Sequence, residues 1–373
     1  MNKKALFLML LPLIVSLLTF IGLLFIFIGS HIKVWLTIII IILSLIISIP
    51  LSIVFHEGGH LIFGLMSGYL FSEFRILNLV FFKNGKKLKI SFEKINGMIL
   101  GQCAMYPPKY KKNKKTKFVL YNSGGLILTY FLVLLSLLMI ILIPNYYVKA
   151  MFVPLFVINL YFGLSNTIPT EGGVNDVVNY LKVKKEPEKL NDILYSLEIA
   201  RNIRLGKSYS AKTSYPVYFS RPVDHIVYPA LIFKYYAALE KHEFRMAQKY
   251  MTMIKKNIYS ISFLLHRLTA ILEMSYSDLV LDHNLKDFRR HFKMFESNYV
   301  PLLQKLDDSL VIFYQILSDI NQNGEADVDL YIKDVEIVDG ETKSFVDRML
   351  LLKEALIQIN NENNDYNSEE KGL

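Results

Sequence analysis

Two histidines and a glutamate lie close together in the segment His56-Glu57-Gly58-Gly59-His60. On a helix, residues four positions apart share a face, so His56 and His60 can bind one metal ion. Glu57 lies beside them, where a carboxylate can hold a water molecule and accept its proton. The spacing is typical of catalytic zinc, which takes three protein ligands and a water. One further ligand must come from elsewhere in the chain.

The segment lies near the end of a stretch that is apolar enough to cross a membrane. Residues 34–55 carry no charge. Ionisable groups inside a membrane span are costly and rare, which favours a functional role over the alternative that two histidines end an ordinary anchor helix. Gly58 and Gly59 lower helix propensity but allow another backbone to approach the metal closely.

The third ligand is expected on another element, after the last apolar stretch. Pro169 ends a helix there, and Gly172-Gly173 keep the following backbone open. Asp176 is the predicted ligand and Glu171 the alternative, because both carboxylates follow this irregular backbone. Such backbone is tolerated at membrane depth only beside protein or a water-filled cavity. A solvated surface turn is the other interpretation, since Pro, Gly and Asp are common in turns.

These motifs together resemble the site-2 protease family of intramembrane metalloproteases. The resemblance covers residues 34–181: H-E-x-x-H in one apolar helix, then Asn166-x-x-Pro169 and an aspartate two spans later. It implies that three core helices hold zinc, with His56, His60 and Asp176 as ligands. It further implies Glu57 as the general base and Asn166 as a substrate-backbone or helix-positioning residue.

Two other segments fit the resemblance, and one differs from it. Gly97–Met105 is similar to the family's membrane-dipping strand, which pairs with extended substrate. Residues 122–125, Asn-Ser-Gly-Gly, occupy the place of its small-residue stretch, where helices pack closely. The spacing from Asn166 to Asp176 is longer than in the family pattern, and Val177 stands where glycine is usual. Glu171 therefore stays open as the third ligand.

The apolar pattern predicts a mostly α-helical, polytopic membrane protein. Four stretches approach the ~20 apolar residues that span a bilayer: Ala5–Gly29, Val34–Met66, Phe118–Ile143 and Tyr147–Ser165. Between the second and third, residues 88–92 and 97–105 predict two short strands joined by a turn near residues 94–96, a small membrane-associated β element. Beyond residue 186 the spacing of apolar residues is helical, without a repeat of fixed period.

Charge sets the expected orientation. The chain of 373 residues has a formal net charge of +9. Its lysines crowd beside the apolar stretches, above all between the second and third, so they indicate a cytoplasmic loop and cytoplasmic termini in the cell membrane rather than nucleic-acid binding. Cys103 is the only cysteine, so neither an intrachain disulfide nor a thiolate zinc cluster can form.

The sequence thus predicts four regions. They are a transmembrane anchor (1–33), an intramembrane metalloprotease core (34–181), a cytoplasmic helical domain open to a protein partner (182–359) and a disordered tail (360–373). The expected activity is zinc-dependent cleavage of transmembrane segments or signal-peptide remnants, with the bilayer and membrane-embedded peptides as partners. The alternative is a non-proteolytic immunity or scaffold protein with the same fold.

Overall fold

The computed structural model describes most of the chain. The described residues are 3–27, 33–84, 87–93, 100–109, 117–170, 175–217, 223–305, 308–333, 335 and 340–371. They form two compact units that divide between Pro187 and Glu188. The sequence predicts the division at residue 181, a few residues earlier.

The first unit is built on four long apolar helices: α1 (Lys3–Leu24), α2 (Val34–Met66), α3 (Phe118–Leu142) and α4 (Tyr146–Thr167). Each helix lacks acidic residues in its first turn and basic residues in its last turn. Many of the large apolar side chains of these helices are exposed. Among the described residues, four segments are long and apolar enough to cross a membrane. The predicted mostly helical fold with four such helices and a small sheet is confirmed.

The sheet lies between α2 and α3 in the chain and has four antiparallel strands in the order β3-β2-β1-β4. The strands are β1 (Leu70–Ile76), β2 (Leu79–Asn84), β3 (Lys87–Phe92) and β4 (Gly101–Tyr106). The predicted hairpin between the third and fourth strands is wrong, because β3 pairs with β2 and β4 pairs with β1. The predicted turn itself, at residues 94–96, lies outside the described residues.

The missed strands β1 and β2 are joined by a tight turn of two residues, Leu77 and Asn78. Leu77 adopts a positive φ of 52°. Leucine rarely adopts this conformation, and Gly, Asn or Asp normally marks such a turn. Asn78 is such a residue, but Leu77 stands at the first turn position, where φ is positive, so the hairpin signature is incomplete and the strand pairing could not be deduced from the sequence.

A short helix, α5 (Asp176–Lys185), follows α4 and packs against α3 and α4. This packing places it in the first unit. The second unit contains α6 (Lys189–Arg204), α7 (Val227–Glu240), α8 (Phe244–Lys256), α9 (Leu264–Val280), α10 (Leu285–Tyr299), α11 (Asp308–Asn323), α12 (Val328–Ile332) and α13 (Gly340–Lys371). The backbone of residues 360–371, predicted to be disordered, continues helix α13.

The second unit contains a structural repeat of 41 residues. The pairs α7–α8 and α9–α10 are helical hairpins, and α11 matches their first helices. Three buried positions recur at this spacing: Leu231/Leu272/Phe313, Tyr235/Tyr276/Leu317 and Ala238/Leu279/Ile320. Each helix is followed at the same spacing by a residue with positive φ, which is His242, His283 or Gly324. The chain therefore stacks equivalent helices, as helical-repeat proteins do, although its sequence shows no obvious period.

Candidate metal centre

The candidate centre is formed where α2 and α3 cross. The two helices run antiparallel, since Gly64 of α2 lies beside Tyr121 of α3 and His56 lies beside Thr129. At the crossing their backbones touch. A Cβ added at Gly59 would lie 2.1 Å from the carbonyl oxygen of Gly124. Glycine is required here because no side chain can be accommodated.

The two imidazoles project from α2 towards this crossing. A Cβ added at Gly125 would lie 2.5 Å from His60 Nε2 and 2.8 Å from His56 Nε2. Gly125 therefore keeps open the space that both Nε2 atoms face. Gly58 has open space around it. Of the two glycines in the motif, Gly59 alone is at the close approach.

Each imidazole is held by its other nitrogen. His60 Nδ1 lies 3.0 Å from the carbonyl oxygen of Tyr121, and a carbonyl only accepts, so Nδ1 carries the proton and Nε2 presents a lone pair. His56 Nδ1 lies 2.9 Å from the hydroxyl of Thr129, which is fully buried. A partner that holds the second ring nitrogen is the usual support of a metal-binding histidine.

The third member of the group is Asp176, the first residue of α5. Its Oδ2 lies 3.5 Å from His56 Nε2 and 3.5 Å from His60 Nε2. This oxygen is buried and accepts no hydrogen bond from the described residues. The three ligand atoms lie within 4.8 Å of one another.

The separations between these ligand atoms match those around a tetrahedral zinc ion. Zinc bonds to nitrogen and oxygen of ~2.0–2.2 Å give tetrahedral edges of about 3.3–3.6 Å, and the two observed nitrogen–oxygen separations are 3.5 Å. A buried carboxylate oxygen without a donor is costly unless a cation or donor satisfies it. The donor set of two imidazoles and one carboxylate is one that catalytic zinc uses.

Two asparagines fix the position of Asp176. The side-chain amide of Asn122 in α3 donates to the backbone oxygen of Asp176 at 2.8 Å. Asn175 accepts from the backbone N–H of Val178 at 2.9 Å and so caps α5. Its amide nitrogen also donates to the backbone oxygens of Ser165 and Ile168, which ties α5 to the end of α4.

Glu57 lies on another side of α2, against the strand β4. A Cβ at Gly101 would lie 3.0 Å from Glu57 Oε1, and the backbone of Cys103 hydrogen-bonds to the Glu57 carboxyl. Glu57 also interacts electrostatically with His60. Burial, followed by the charge of Glu57, raises the pKa of the Cys103 thiol, so the thiol stays protonated and is a poor metal ligand.

Four residues are predicted as zinc ligands or general base. The structure brings the ligand atoms of His56, His60 and Asp176 together, and Glu57 lies beside them. Glu171 lies outside the described residues. Asn166 is not part of the group: its amide donates to the oxygen of Phe162 in its own helix at 3.0 Å. Its predicted contact with substrate stays a prediction.

The sequence reasoning missed Thr129 and the roles of Asn122 and Gly125. Asn122, Gly125 and Thr129 are at positions i, i+3 and i+7 of α3 and therefore lie on one face of the helix. Polar and small residues at this spacing in an otherwise apolar helix were a usable indication of the surface that faces the centre.

Comparison with known proteins adds no family assignment: no family model, no curated protein and no solved structure matches the chain. The geometry of the site therefore stands alone as the guide to function.

Proposed function

We propose that the protein is an intramembrane zinc metalloendopeptidase that cleaves transmembrane segments or signal-peptide remnants. The observation that carries this proposal is the buried Asp176 Oδ2, which accepts no hydrogen bond from the described part of the chain and lies 3.5 Å from both histidine Nε2 atoms. The three atoms form a ligand set of catalytic type. The two histidines lie on α2, which is apolar enough to cross a bilayer, and Asp176 lies on the short helix α5 that packs against α3 and α4.

In the proposed reaction, His56, His60 and Asp176 would hold the metal. The chemistry that zinc would supply there is that of a Lewis acid for the water and the scissile carbonyl. Glu57 takes the proton of the attacking water on a carboxylate oxygen and then delivers it to the nitrogen of the leaving amine. Because Glu57 lies against β4, this proton transfer would occur next to a strand edge.

Strand β4 suits the binding of an extended substrate. It pairs with β1 on one side and with no second strand among the described residues. Peptides commonly add to such free strand edges through backbone hydrogen bonds. The backbone carbonyl of Cys103 accepts from the Tyr121 hydroxyl at 3.0 Å, and its backbone also binds Glu57. Since Cys103 already has these partners, a substrate would pair with other positions of this edge, beside the catalytic carboxylate.

The proposed orientation follows from the lysines between the second and third apolar helices. Lys83, Lys87, Lys89, Lys109 and Lys117 lie among the described residues of that segment. By the positive-inside rule this side and both termini are cytoplasmic, and the centre lies towards the cytoplasmic leaflet of the cell membrane. A reporter fused after Leu181 should be active in the cytoplasm; activity on the outer side would refute this orientation.

The direct test compares intact protein with Glu57→Gln and Asp176→Ala. We expect Glu57→Gln to abolish cleavage but retain zinc, because it removes the base and leaves the ligands. Asp176→Ala should lower bound zinc as well as cleavage. Membrane proteomics of cells with intact and Glu57→Gln protein should show uncut membrane peptides only in the variant. Unchanged processing with Glu57→Gln would exclude the enzyme and favour a non-proteolytic immunity or scaffold protein.

A further inference from the structure

The second unit contains a cavity of about 260 Å³ on the shared face of its repeated helices. Tyr228 of α7, Thr269 of α9 and Leu310 of α11 line it and occupy the equivalent position in three successive repeats, 41 residues apart. Stacked helical repeats use such a common face to bind partners. The cavity is therefore a feature of the repeat rather than an isolated packing defect.

Aromatic side chains form a large part of the cavity wall. Phe233, Tyr236, Phe313 and Phe345 belong to it together with Tyr228. Several of their polar atoms are already used: the Tyr228 hydroxyl lies 3.0 Å from that of Thr269, and the Tyr236 hydroxyl donates to Glu273 at 2.9 Å. The surface available to a ligand is accordingly more apolar than polar.

The charges around the cavity do not favour an ionic ligand. Arg348 is paired with Glu273, and its guanidinium lies 4.5 Å from the centre of the Tyr236 ring. Burial, with a smaller effect of His225, lowers the pKa of His266 to about 4, so this wall residue is neutral at neutral pH. The remaining charged lining residue, Glu341, is exposed. The described lining therefore offers no unpaired cation for a phosphate or carboxylate.

We propose that this cavity binds a bulky, uncharged apolar side chain of an extended peptide. The cavity is smaller than the ~300–1,000 Å³ of typical small-molecule pockets and has room for one or two side chains. Aromatic walls match leucine, phenylalanine and similar side chains. The choice of a peptide as the ligand also rests on the proposed function, since an intramembrane peptidase releases fragments rich in such residues.

The test uses the full-length Glu57→Gln protein in detergent micelles, so that no probe is cut. The probes are fluorescein-Ala-Ala-Leu-Phe-Ala-Ala-amide, the same peptide with Ser-Ser in place of Leu-Phe, and N-acetylphenylalanine amide as competitor. Fluorescence anisotropy measures binding. Saturable binding of the Leu-Phe peptide is expected, with the Ser-Ser peptide at least ~10-fold weaker.

Variants locate the binding. Ser309→Trp should fill the cavity and Phe233→Ala should remove part of its wall, each weakening binding at least ~10-fold. Ser297→Trp is the matched control, because Ser297 lies on α10 outside the cavity and is exposed; it should stay within about twofold. Thermal unfolding by circular dichroism identifies any misfolded variant, and the other cavity variant then decides.

Three results would overturn the proposal: no saturable binding of the Leu-Phe peptide, equal binding by the Ser309→Trp and Ser297→Trp variants, or displacement by N-acetylphenylalanine amide at the concentration that unlabelled peptide requires. The last would indicate a small-molecule site. Because the probed protein cannot cleave, failure here leaves the peptidase proposal intact, and failure of the peptidase proposal would not remove measured binding.

Discussion

Replacing Thr129 by valine tests the metal centre at a single hydrogen bond. Valine has nearly the shape of threonine but lacks the hydroxyl that lies 2.9 Å from His56 Nδ1. Thr129 is fully buried, so water cannot replace the lost partner. When His56 binds a metal through Nε2, its Nδ1 carries the proton and needs an acceptor.

The size of the effect follows from that unsatisfied donor. A buried donor without a partner costs about 1–3 kcal/mol, and loss of the partner of a metal-binding histidine lowers metal affinity ~10–100-fold. The two ranges agree, since each tenfold change corresponds to about 1.4 kcal/mol. We therefore expect Thr129→Val to weaken zinc binding by one to two orders of magnitude without unfolding the bundle.

Zinc affinity is measured on the purified full-length protein by competition with a chromogenic chelator. Thr129→Ser should restore most of the affinity, because it returns the hydroxyl. Thr167→Val is the matched control: Thr167 bonds to the hydroxyl of Tyr130 at 2.9 Å in the same bundle, whereas the histidine Nδ1 atoms bond to Thr129 and Tyr121. Wild-type affinity in Thr129→Val, or an equal loss in Thr167→Val, would refute the assigned role.

Three further predictions concern packing and charge. Gly125→Ala should abolish zinc binding, because its Cβ would lie 2.5 Å from His60 Nε2, whereas Gly58→Ala, with open space around it, should retain binding in the same competition assay. Arg348→Met should lower the free energy of unfolding of the second unit by ~3–5 kcal/mol, because it leaves the buried Glu273 without its cationic partner; in denaturant melts a loss below about 1 kcal/mol would contradict this. His266 has its pKa lowered to about 4 from 6.5, so the unfolded chain binds the extra proton and stability should fall as pH drops from 6.5 towards 4; His266→Phe should flatten this pH dependence in thermal melts.

The sequence could predict what depends on local spacing. The i, i+4 relation alone places His56 and His60 on one face of a helix, and the long apolar stretches alone predict the four long helices. The pairing of the strands could not be predicted, because Leu77, at a positive φ, occupies the first position of the turn that joins β1 and β2. Without that turn, the pairing of β3 could not be assigned.

The 41-residue repeat could not be recognised from the sequence either, for a different reason. Equivalent positions keep burial but not residue type, as Ala238, Leu279 and Ile320 illustrate. Helical repeats are defined by which face is buried and where each helix ends, and different apolar residues satisfy both conditions. Here even the turn positions differ, with histidine in two repeats and Gly324 in the third.

The prediction of Asp176 as a ligand depends partly on local sequence and partly on long-range contacts. Its choice as a ligand came from a carboxylate that follows irregular backbone, but its position depends on contacts that spacing does not reveal. Asn122 is 54 positions earlier and holds the Asp176 backbone from α3, while Asn175 holds the start of α5 against α4. Asn122 and Asn175 both donate hydrogen bonds to backbone oxygens, and none of these bonds involves the side chain of Val177. The identity of Val177 therefore matters little to the position of the Asp176 carboxylate. The unusual length of the segment after Pro169 is thus compatible with a fixed third ligand.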